Sequence, residues 1–295
     1  MRSLLLASLV ATTSLPALAQ TAETGLTFGG KVELEYLDAD TTHLWAFDGD
    51  LSASWRSGGL LGFDAALDTT YLEDGSELTN VWAALVLSTD IGEFAVGAPR
   101  PVVDRFNVMP DFSSSSVLDL DIGILTSNYT ALASGFDNGM TPGLTYVGTS
   151  GNLTYGGGYH QISDEFESID VIEGAMTYAA AGTTYFINGE FVDGSDGSYT
   201  LMRIGALHDA DRFDIGAALS QLRIPDTRHT LRLYGSVDVI DSLSITGDVL
   251  MVEDSFDLYS LSARYEMANG IFVEGGGIKI QDGPEIYDIG VGFKF

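Results

Sequence analysis

The sequence predicts an all-β fold: a transmembrane antiparallel β-barrel of sixteen strands, with a long inward-folded loop after strand 5. Three observations support this fold class. Apolar and polar residues alternate with a period of two almost everywhere after residue 24, and most of the alternating segments are ten residues or longer. Beyond residues 1–19, no segment has the 18 consecutive apolar residues of a transmembrane helix, so any membrane insertion must be as a barrel.

Composition and charge exclude several classes of protein. The chain of 295 residues carries 42 acidic and 13 basic side chains, a formal net charge of -29, which argues against nucleic acid as a partner. It contains no cysteine, so disulfides, thiolate metal sites and cysteine nucleophiles are excluded. With 13 Tyr and 15 Phe it is too aromatic for a disordered acidic segment.

Residues 1–19 have the features of a secretory signal peptide. Arg2 gives a charged start, residues 4–10 form a short apolar centre, and Ala17 and Ala19 provide a small-residue exit. The apolar run is shorter than the roughly 20 residues that a membrane anchor needs. We therefore expect cleavage after Ala19, export, and a single barrel domain over residues 20–295.

The second strand shows why a membrane environment is favoured over a soluble sandwich. Trp45 and Trp55 lie on the same face and are ten residues apart, roughly 34 Å at about 3.4 Å per residue. A tilt of about 40° reduces this to roughly 26 Å, close to the height of the apolar band of a transmembrane barrel. Tryptophan is typical of both edges of that band. A soluble sandwich could hold the same residues in its core, but its strands are usually about five or six residues long.

The same alternation predicts the whole set of strands in order. They are 26–37, 43–56, 60–71, 78–88, 91–98, 141–149, 152–161, 170–179, 183–192, 198–208, 211–220, 229–239, 242–252, 257–267, 270–281 and 285–295. Short turns are expected to alternate with generally longer acidic loops. Alternation is imperfect in 78–88 and 270–281, and a β-bulge at 275–277 would restore it in the latter.

Residues 99–140 form a long insert between the fifth and sixth strands. It begins with Pro99 and Pro101, and it has apolar residues, such as Phe106 and Val117, that can pack. A connection of this length is usually functional or disordered. Folded into the lumen it would narrow the opening, and the alternative is an extracellular flap. In the first case the charged residues beside the path would be Arg100, Asp104, Arg105, Asp111, Asp119 and Asp121.

The inward faces of the early strands are mostly acidic. Their acids are Glu33, Glu35, Asp48, Asp50, Asp64 and Asp68, and the only bases there are Lys31 and Arg56. Most bases come later, at Arg203, Arg212, Arg232, Arg264 and Lys279. Carboxylates around a narrow aqueous hole raise the local concentration of cations, so we expect weak cation selectivity that fades at high salt.

Together these features resemble the general porins of Gram-negative bacteria. The resemblance covers the mature chain and includes the final strand 287–295, which ends in phenylalanine. It implies an outer-membrane channel for passive diffusion of ions and small hydrophilic solutes, often trimeric, with 99–140 as the constriction loop. It also implies that Tyr287, Phe293 and Phe295 form the signal read by the outer-membrane assembly machinery.

The chain departs from many enteric porins in two respects. It has no close copy of their Pro-Glu-Phe-Gly-Gly stretch, and its early strands lack the basic cluster that faces the acidic loop in those relatives. We therefore expect any transverse field to have a different orientation. The alternative function is a non-conducting outer-membrane barrel with a structural or adhesive role, its lumen plugged by residues 99–140. Small and polar inward residues favour the channel, because they leave space.

Enzymatic and metal-binding functions are not predicted. The four histidines, His43, His160, His208 and His229, lie in no metalloprotease or nucleophile motif, so we expect neither catalysis nor a resident cofactor. Acid pairs in the loops could hold Ca²⁺ with loop carbonyls or bridge to lipopolysaccharide, the alternative being solvated acidic loops. These pairs are Asp38/Asp40, Asp164/Glu165 and Asp193/Asp196.

Overall fold

The computed structural model describes residues 25–39, 42–117, 130, 141–163, 168–194, 197–224 and 226–295, so the predicted signal peptide lies outside the described residues. Sixteen strands are present: β1 Gly25–Ala39, β2 Thr42–Arg56, β3 Leu61–Leu72, β4 Glu77–Thr89, β5 Gly92–Ala98, β6 Gly143–Ser150, β7 Leu153–Ser163, β8 Ser168–Ala180, β9 Thr183–Gly194, β10 Gly197–Ala210, β11 Phe213–Ile224, β12 Asp226–Ile240, β13 Leu243–Val252, β14 Asp257–Glu266, β15 Ile271–Ile280 and β16 Glu285–Lys294. A short helix, α1, covers Val102–Arg105 in the insert after β5.

The strands close into one antiparallel barrel, which confirms the predicted fold class. Each strand pairs with the next along the chain, and β1 pairs with β16 to complete the ring. The last residue continues this seam, because the Phe295 N–H donates to the Gly30 carbonyl at 3.0 Å and the Gly30 N–H donates back at 3.1 Å. A closed ring has no unpaired strand edge, which is the condition for a sheet in lipid.

The outer wall is apolar and exposed. Trp45 and Trp55 both face outward, with 47% and 43% of their surfaces exposed. Leu85, Ile204 and Ile289, from distant parts of the ring, are also more than half exposed. Among the described residues, no helix is long and apolar enough to cross a bilayer. The outward residues therefore match the lipid-facing half of the predicted alternation.

The predicted contrast between short turns and longer loops holds for most of the described connections. At one end of the barrel, 73–76, 253–256 and 281–284 have four residues each, whereas five of the seven turns at the other end have two; the exceptions are 57–60 and 267–270, with four each. Several strands continue past their predicted ends into the acidic segments, as β9 does to Gly194. Backbone pairing across the ring extends these strands even where the side chains no longer alternate.

The prediction of a β-bulge at 275–277 is wrong. Pairing of β15 with β14 and with β16 runs without interruption through these glycines, and the register shift of the described ladders lies at Asp238 and Ile240 instead. Phe272 and Ile278 face inward and are buried. They can do so because other groups cover them inside the barrel: the Arg264 guanidinium lies 3.7 Å from the Phe272 ring centroid, and Phe112 of the insert packs on Ile278.

The insert lies inside the barrel over its described residues 99–117, so the extracellular-flap alternative is wrong for this stretch. Its apolar residues pack on the inner wall in four places, one of them through Val117. Val102 and Phe106 contact Val147 and Ala175, Val108 and Met109 contact Phe186 and Ala218, and Phe112 contacts Leu250, Val252, Leu258 and Ile278. Much of the buried apolar surface therefore lies between the insert and the barrel wall, and further clusters lie among the strands themselves.

Candidate pore constriction

Glu173 on β8 holds the beginning of the insert. Its carboxylate accepts hydrogen bonds from the backbone N–H groups of Val102 and Val103 at 2.6 and 2.8 Å, in the first turn of α1. His160 on β7 lies 2.8 Å away through Nε2. Both side chains are completely buried. A buried carboxylate with several N–H partners makes strong charge-assisted bonds, so α1 has a defined position on the wall.

Glycines make room for this pair. Gly158 is the cross-strand neighbour of Glu173, and Gly143 is that of His160. A Cβ atom at Gly143 would lie 2.6 Å from His160 Nδ1, and one at Gly158 would overlap the Glu173 carboxylate. The two glycines are therefore needed for close approach of buried side chains.

Three further wall carboxylates hold the insert in the same way. Glu35 accepts from the Ser116 N–H and hydroxyl at 3.2 and 2.8 Å, and Asp288 accepts from the Ser114 hydroxyl at 2.6 Å. Glu190 accepts from the Thr130 hydroxyl at 2.6 Å. The carboxylates come from the neighbouring strands β1 and β16 and from β9 across the ring, so the insert is tied to opposite sides of the wall.

Two of the predicted luminal arginines lie between the insert and the wall. Arg203 is 3% exposed and donates to Asn107 Oδ1 at 3.3 Å. Arg232 is 5% exposed, pairs with Asp248 on the neighbouring strand, and donates to the Asp111 carbonyl at 3.1 Å. Both charges face inward but support the insert and do not line the opening.

A polar opening remains between the insert, the β2–β3 wall and the β12–β15 wall, and we refer to it as the eyelet. It has a volume of about 510 Å³. Its hydroxyl groups include those of Ser113, Ser236 and Thr246. Its described charged side chains are the acids Asp48, Asp50, Asp68, Asp104, Asp111 and Glu274 and the bases Lys31, Arg100 and Arg264. The carboxylates thus outnumber the bases by six to three.

Each base of the eyelet has carboxylate partners. Lys31 lies 3.3 Å from both Glu33 and Asp48. Arg264 lies 3.2 Å from Glu274 and 3.7 Å from Glu266. Arg100 donates to Asp104 at 2.5 Å and to Asp68 at 2.9 Å, with Asp50 at 3.9 Å.

Among the predicted site residues, those nearest to the barrel end that carries the turn 57–60 form a separate group. Arg56 pairs with Asp64 at 2.6 Å and with Glu93 at 3.5 Å. Arg105 and Asp64 line a second cavity of about 530 Å³, between the insert and strands β1–β5. This cavity lies on the side of the insert that faces the turn 57–60. The eyelet and this cavity both border the insert, and the lining of the second cavity is largely alanine and aromatic.

Some expected site residues lie elsewhere. Arg212, expected on the luminal face, lies in the two-residue turn between β10 and β11, because β10 continues to Ala210 and moves the turn along the chain. Its side chain is 70% exposed. Lys279 points away from the lumen and pairs with Glu285 at 3.2 Å. Asp119 and Asp121 lie outside the described residues, as do Asp40, Asp164, Glu165 and Asp196 of the predicted calcium pairs.

No group of three or more His, Asp or Glu residues that could hold a metal ion occurs in the part of the chain that the structure describes. Each predicted calcium pair includes at least one residue beyond that part. The structure therefore leaves the calcium expectation as a proposal about the loops.

Sequence reasoning missed several wall acids that bind the insert or support the eyelet. Glu173, Glu190 and Asp288 bind the insert directly, whereas Asp248 and Glu274 pair with luminal arginines. A signal was present, since alternation alone assigns all five acids to the luminal face. The bonds of the first three to the insert had no signal, because these depend on which part of the insert reaches each strand.

The final strand has the predicted outward aromatic residues. Tyr287 is 55% exposed, and the rings of Phe293 and Phe295 stack with centroids 5.8 Å apart. Both phenylalanines follow the outward alternation of Ile289 and Val291 at the β1–β16 seam. They are therefore available to the lipid, or to a partner that approaches this seam from the membrane.

Known structures match the fold. The outer membrane protein OmpT of Vibrio cholerae, with loop L8 deleted, gives a TM-score of 0.68 at 11% identity over 92% of this chain and 99% of that chain. Two substituted forms of the Rhodopseudomonas blastica porin give 0.66 at 13% and 0.62 at 14%, over 92% of this chain and all of theirs. The chain has a porin fold. No protein-family model and no curated protein sequence matches it.

Proposed function

We propose that this protein is an outer-membrane porin of a Gram-negative bacterium: a water-filled channel for passive diffusion of ions and small hydrophilic solutes, weakly cation-selective. Its precursor is exported through a signal peptide cleaved after Ala19, and its last strand addresses it to the outer-membrane assembly machinery. It functions among lipid and lipopolysaccharide as a homotrimer, with acidic loops that can bind divalent cations. The porin fold and the resemblance of the sequence to general porins support this proposal.

The eyelet is the observation that carries the proposal. The insert packs its apolar residues against the wall and leaves an opening of about 510 Å³ whose lining is polar and charged. A plug would fill the lumen with interlocking side chains, as small barrels do. Six carboxylates against three bases favour the entry of cations over anions.

The same arrangement favours a channel over an enzyme. Passive diffusion needs no proton transfer and no nucleophile. His160, the histidine nearest to a buried carboxylate, lies with Glu173 beneath α1, and both side chains are fully buried. A general base must reach its substrate, so this pair supports the insert and is not a candidate catalytic site.

Ion conductance of the refolded mature protein in a planar bilayer, with a KCl gradient across it, tests the proposal. We expect discrete open steps and a reversal potential of the sign that cation preference produces. Steps that arrive in threes would support the trimer. Folded, inserted protein that stayed silent at every voltage would overturn the channel and favour the plugged barrel with a structural or adhesive role. Open steps with anion preference would overturn only the selectivity.

A further inference from the structure

Arg100 occupies the junction between the insert and the barrel wall. Its guanidinium is within 4 Å of three carboxylates: Asp104 comes from the insert, and Asp50 and Asp68 come from neighbouring strands of the wall. Asp50 and Asp68 lie directly opposite each other in the β2–β3 register. One base therefore faces acids from both sides of the narrow opening.

The local backbone holds this guanidinium in place. Pro99 and Pro101 flank Arg100, and both are buried. Proline limits the backbone rotation on either side. Asp104 follows four residues later in α1, whose first turn is itself bound by Glu173. Asp104 above all, with Asp68 and Asp50, raises the pKa of Arg100 above its already high ordinary value, so the side chain is charged at every pH of interest.

The other two bases of the eyelet are placed differently. Lys31 faces Glu33, whose side chain is 1% exposed, and Asp48, whose side chain is 17% exposed. The charge of Lys31 is therefore neutralised by wall carboxylates that are largely buried. The Arg264 guanidinium lies 3.7 Å from the Phe272 ring centroid and, among the described residues, pairs with Glu274 and Glu266 of the β14–β15 wall alone. Arg100 differs from both bases, because it pairs with Asp104 of the insert as well as with wall acids, of which Asp50 is 47% exposed.

We propose that Arg100 is the specificity-determining residue of the eyelet: it is a tethered cation that offsets the acids at the junction and keeps the cation preference weak. This inference rests on the proposed channel function. The weak preference then follows from a built-in counter-charge and not from a shortage of acids. Removing one positive charge from the lining of the eyelet, partly screened at about 0.1 M salt, corresponds to a rise of about threefold in the ratio of cation to anion permeability.

Reversal potentials of single charge variants in planar bilayers under a KCl gradient test the assignment. We expect Arg100→Gln to raise the permeability ratio about threefold over the unsubstituted protein, and Lys31→Gln and Arg264→Gln to raise it less. Arg100→Lys keeps the charge and should retain the original ratio. Arg212→Gln makes the same change of net charge in an exposed turn and should leave the ratio unchanged. An Arg100→Gln ratio equal to that of the unsubstituted protein would overturn the proposal.

A second pair of variants covers the case in which Arg100→Gln does not fold, because the substitution leaves three neighbouring carboxylates without their counter-charge. Asp104→Asn should lower the permeability ratio, and adding Arg100→Gln to it should raise the ratio again by about threefold. No rise on that addition would overturn the role of Arg100. A silent unsubstituted protein would instead overturn the proposed channel, so the two failures are distinguishable.

Discussion

At the scale of single residues, the insert is positioned by buried carboxylates on the wall that accept hydrogen bonds from its backbone and hydroxyl groups. Glu173 is the most enclosed of these, with two backbone donors and His160 around one carboxylate. A buried ion is costly unless each of its oxygens has partners, and here both oxygens have them. The energy of these bonds depends on the charge, since a neutral acceptor makes weaker ones.

Glu173→Gln tests this role. The amide retains the shape but has only one acceptor oxygen, so one N–H of the insert loses its partner, at a cost of about 2 kcal/mol. We expect α1 to leave its position more often. The measurements are the noise of the open-channel current, which should increase, and protease cleavage within residues 99–117, which should become faster.

Glu77→Gln is the matched control for this substitution, because Glu77 is an exposed acid at the end of β4. It should leave both readouts as they are. If Glu173→Gln showed the noise and the protease resistance of the unsubstituted protein, the apolar contacts of the insert would be sufficient to hold it, and Glu173 would not be a positioning residue.

At the scale of elements, the insert and the wall are complementary. The insert turns its apolar residues, such as Phe112, to the wall and its polar residues to the eyelet. The strands with imperfect alternation are partners in this arrangement: β15 presents Ile278 to Phe112, and β4 buries Trp82 on its inward face, with its indole N–H donating to Asp68 at 3.1 Å. Irregular patterning in a barrel strand therefore indicates a covered part of the lumen.

Asp111→Cys tests whether the insert borders the path. Asp111 is exposed in the eyelet, and the chain has no other cysteine, so a thiol reagent that carries a positive charge acts at this position alone. We expect modification to reduce the open-channel current and to lower the cation preference, because it adds both bulk and positive charge in the eyelet.

The control for this experiment is Asp74→Cys, in the exposed connection between β3 and β4. The same reagent should modify it with little effect on the current. Equal effects at both positions, or none at position 111, would contradict the placement of the insert beside the permeation path.

At the scale of the whole molecule, acidic side chains greatly outnumber basic ones, which gives the net charge of -29. In the described eyelet each base is engaged by acids, and the surplus of carboxylates faces the water-filled space. Such a surplus acts through the solution as a field and not through any one contact. Its reach is therefore limited by the Debye length, which falls from about 10 Å at 0.1 M salt to about 3 Å at 1 M.

The salt dependence of selectivity follows from this. At a constant ratio of KCl concentrations across the bilayer, we expect the cation preference to decrease steadily as the mean salt concentration rises from 0.1 M to 1 M. Reversal potentials measured along that series are the readout. A preference that stayed the same at 1 M would contradict long-range field control and would point instead to cation binding at a fixed site.

Much of the fold was predictable, since sixteen strands with the correct neighbours follow from the period-two pattern. Individual positions show where prediction from this pattern failed. Arg212 was expected in the lumen because the predicted strand began at 211, yet backbone pairing carries β10 to Ala210 and places Arg212 in the turn. Of the nine charges that line the eyelet, all but Glu274 were predicted from alternation and from the insert. The anchoring role of Glu173 was not predictable from its position alone.

The sequence by itself determined that the chain is a barrel with an apolar outer wall and a polar inner one, because side-chain alternation is a local property that each strand carries independently. It also determined the place and length of the insert. Only the tertiary structure decided which wall residues the insert contacts, where Arg100 lies among its three carboxylates, and which luminal acids remain beside the opening. These depend on pairs of residues far apart in the chain, whose distances are set by closure of the ring and by packing of the insert within it.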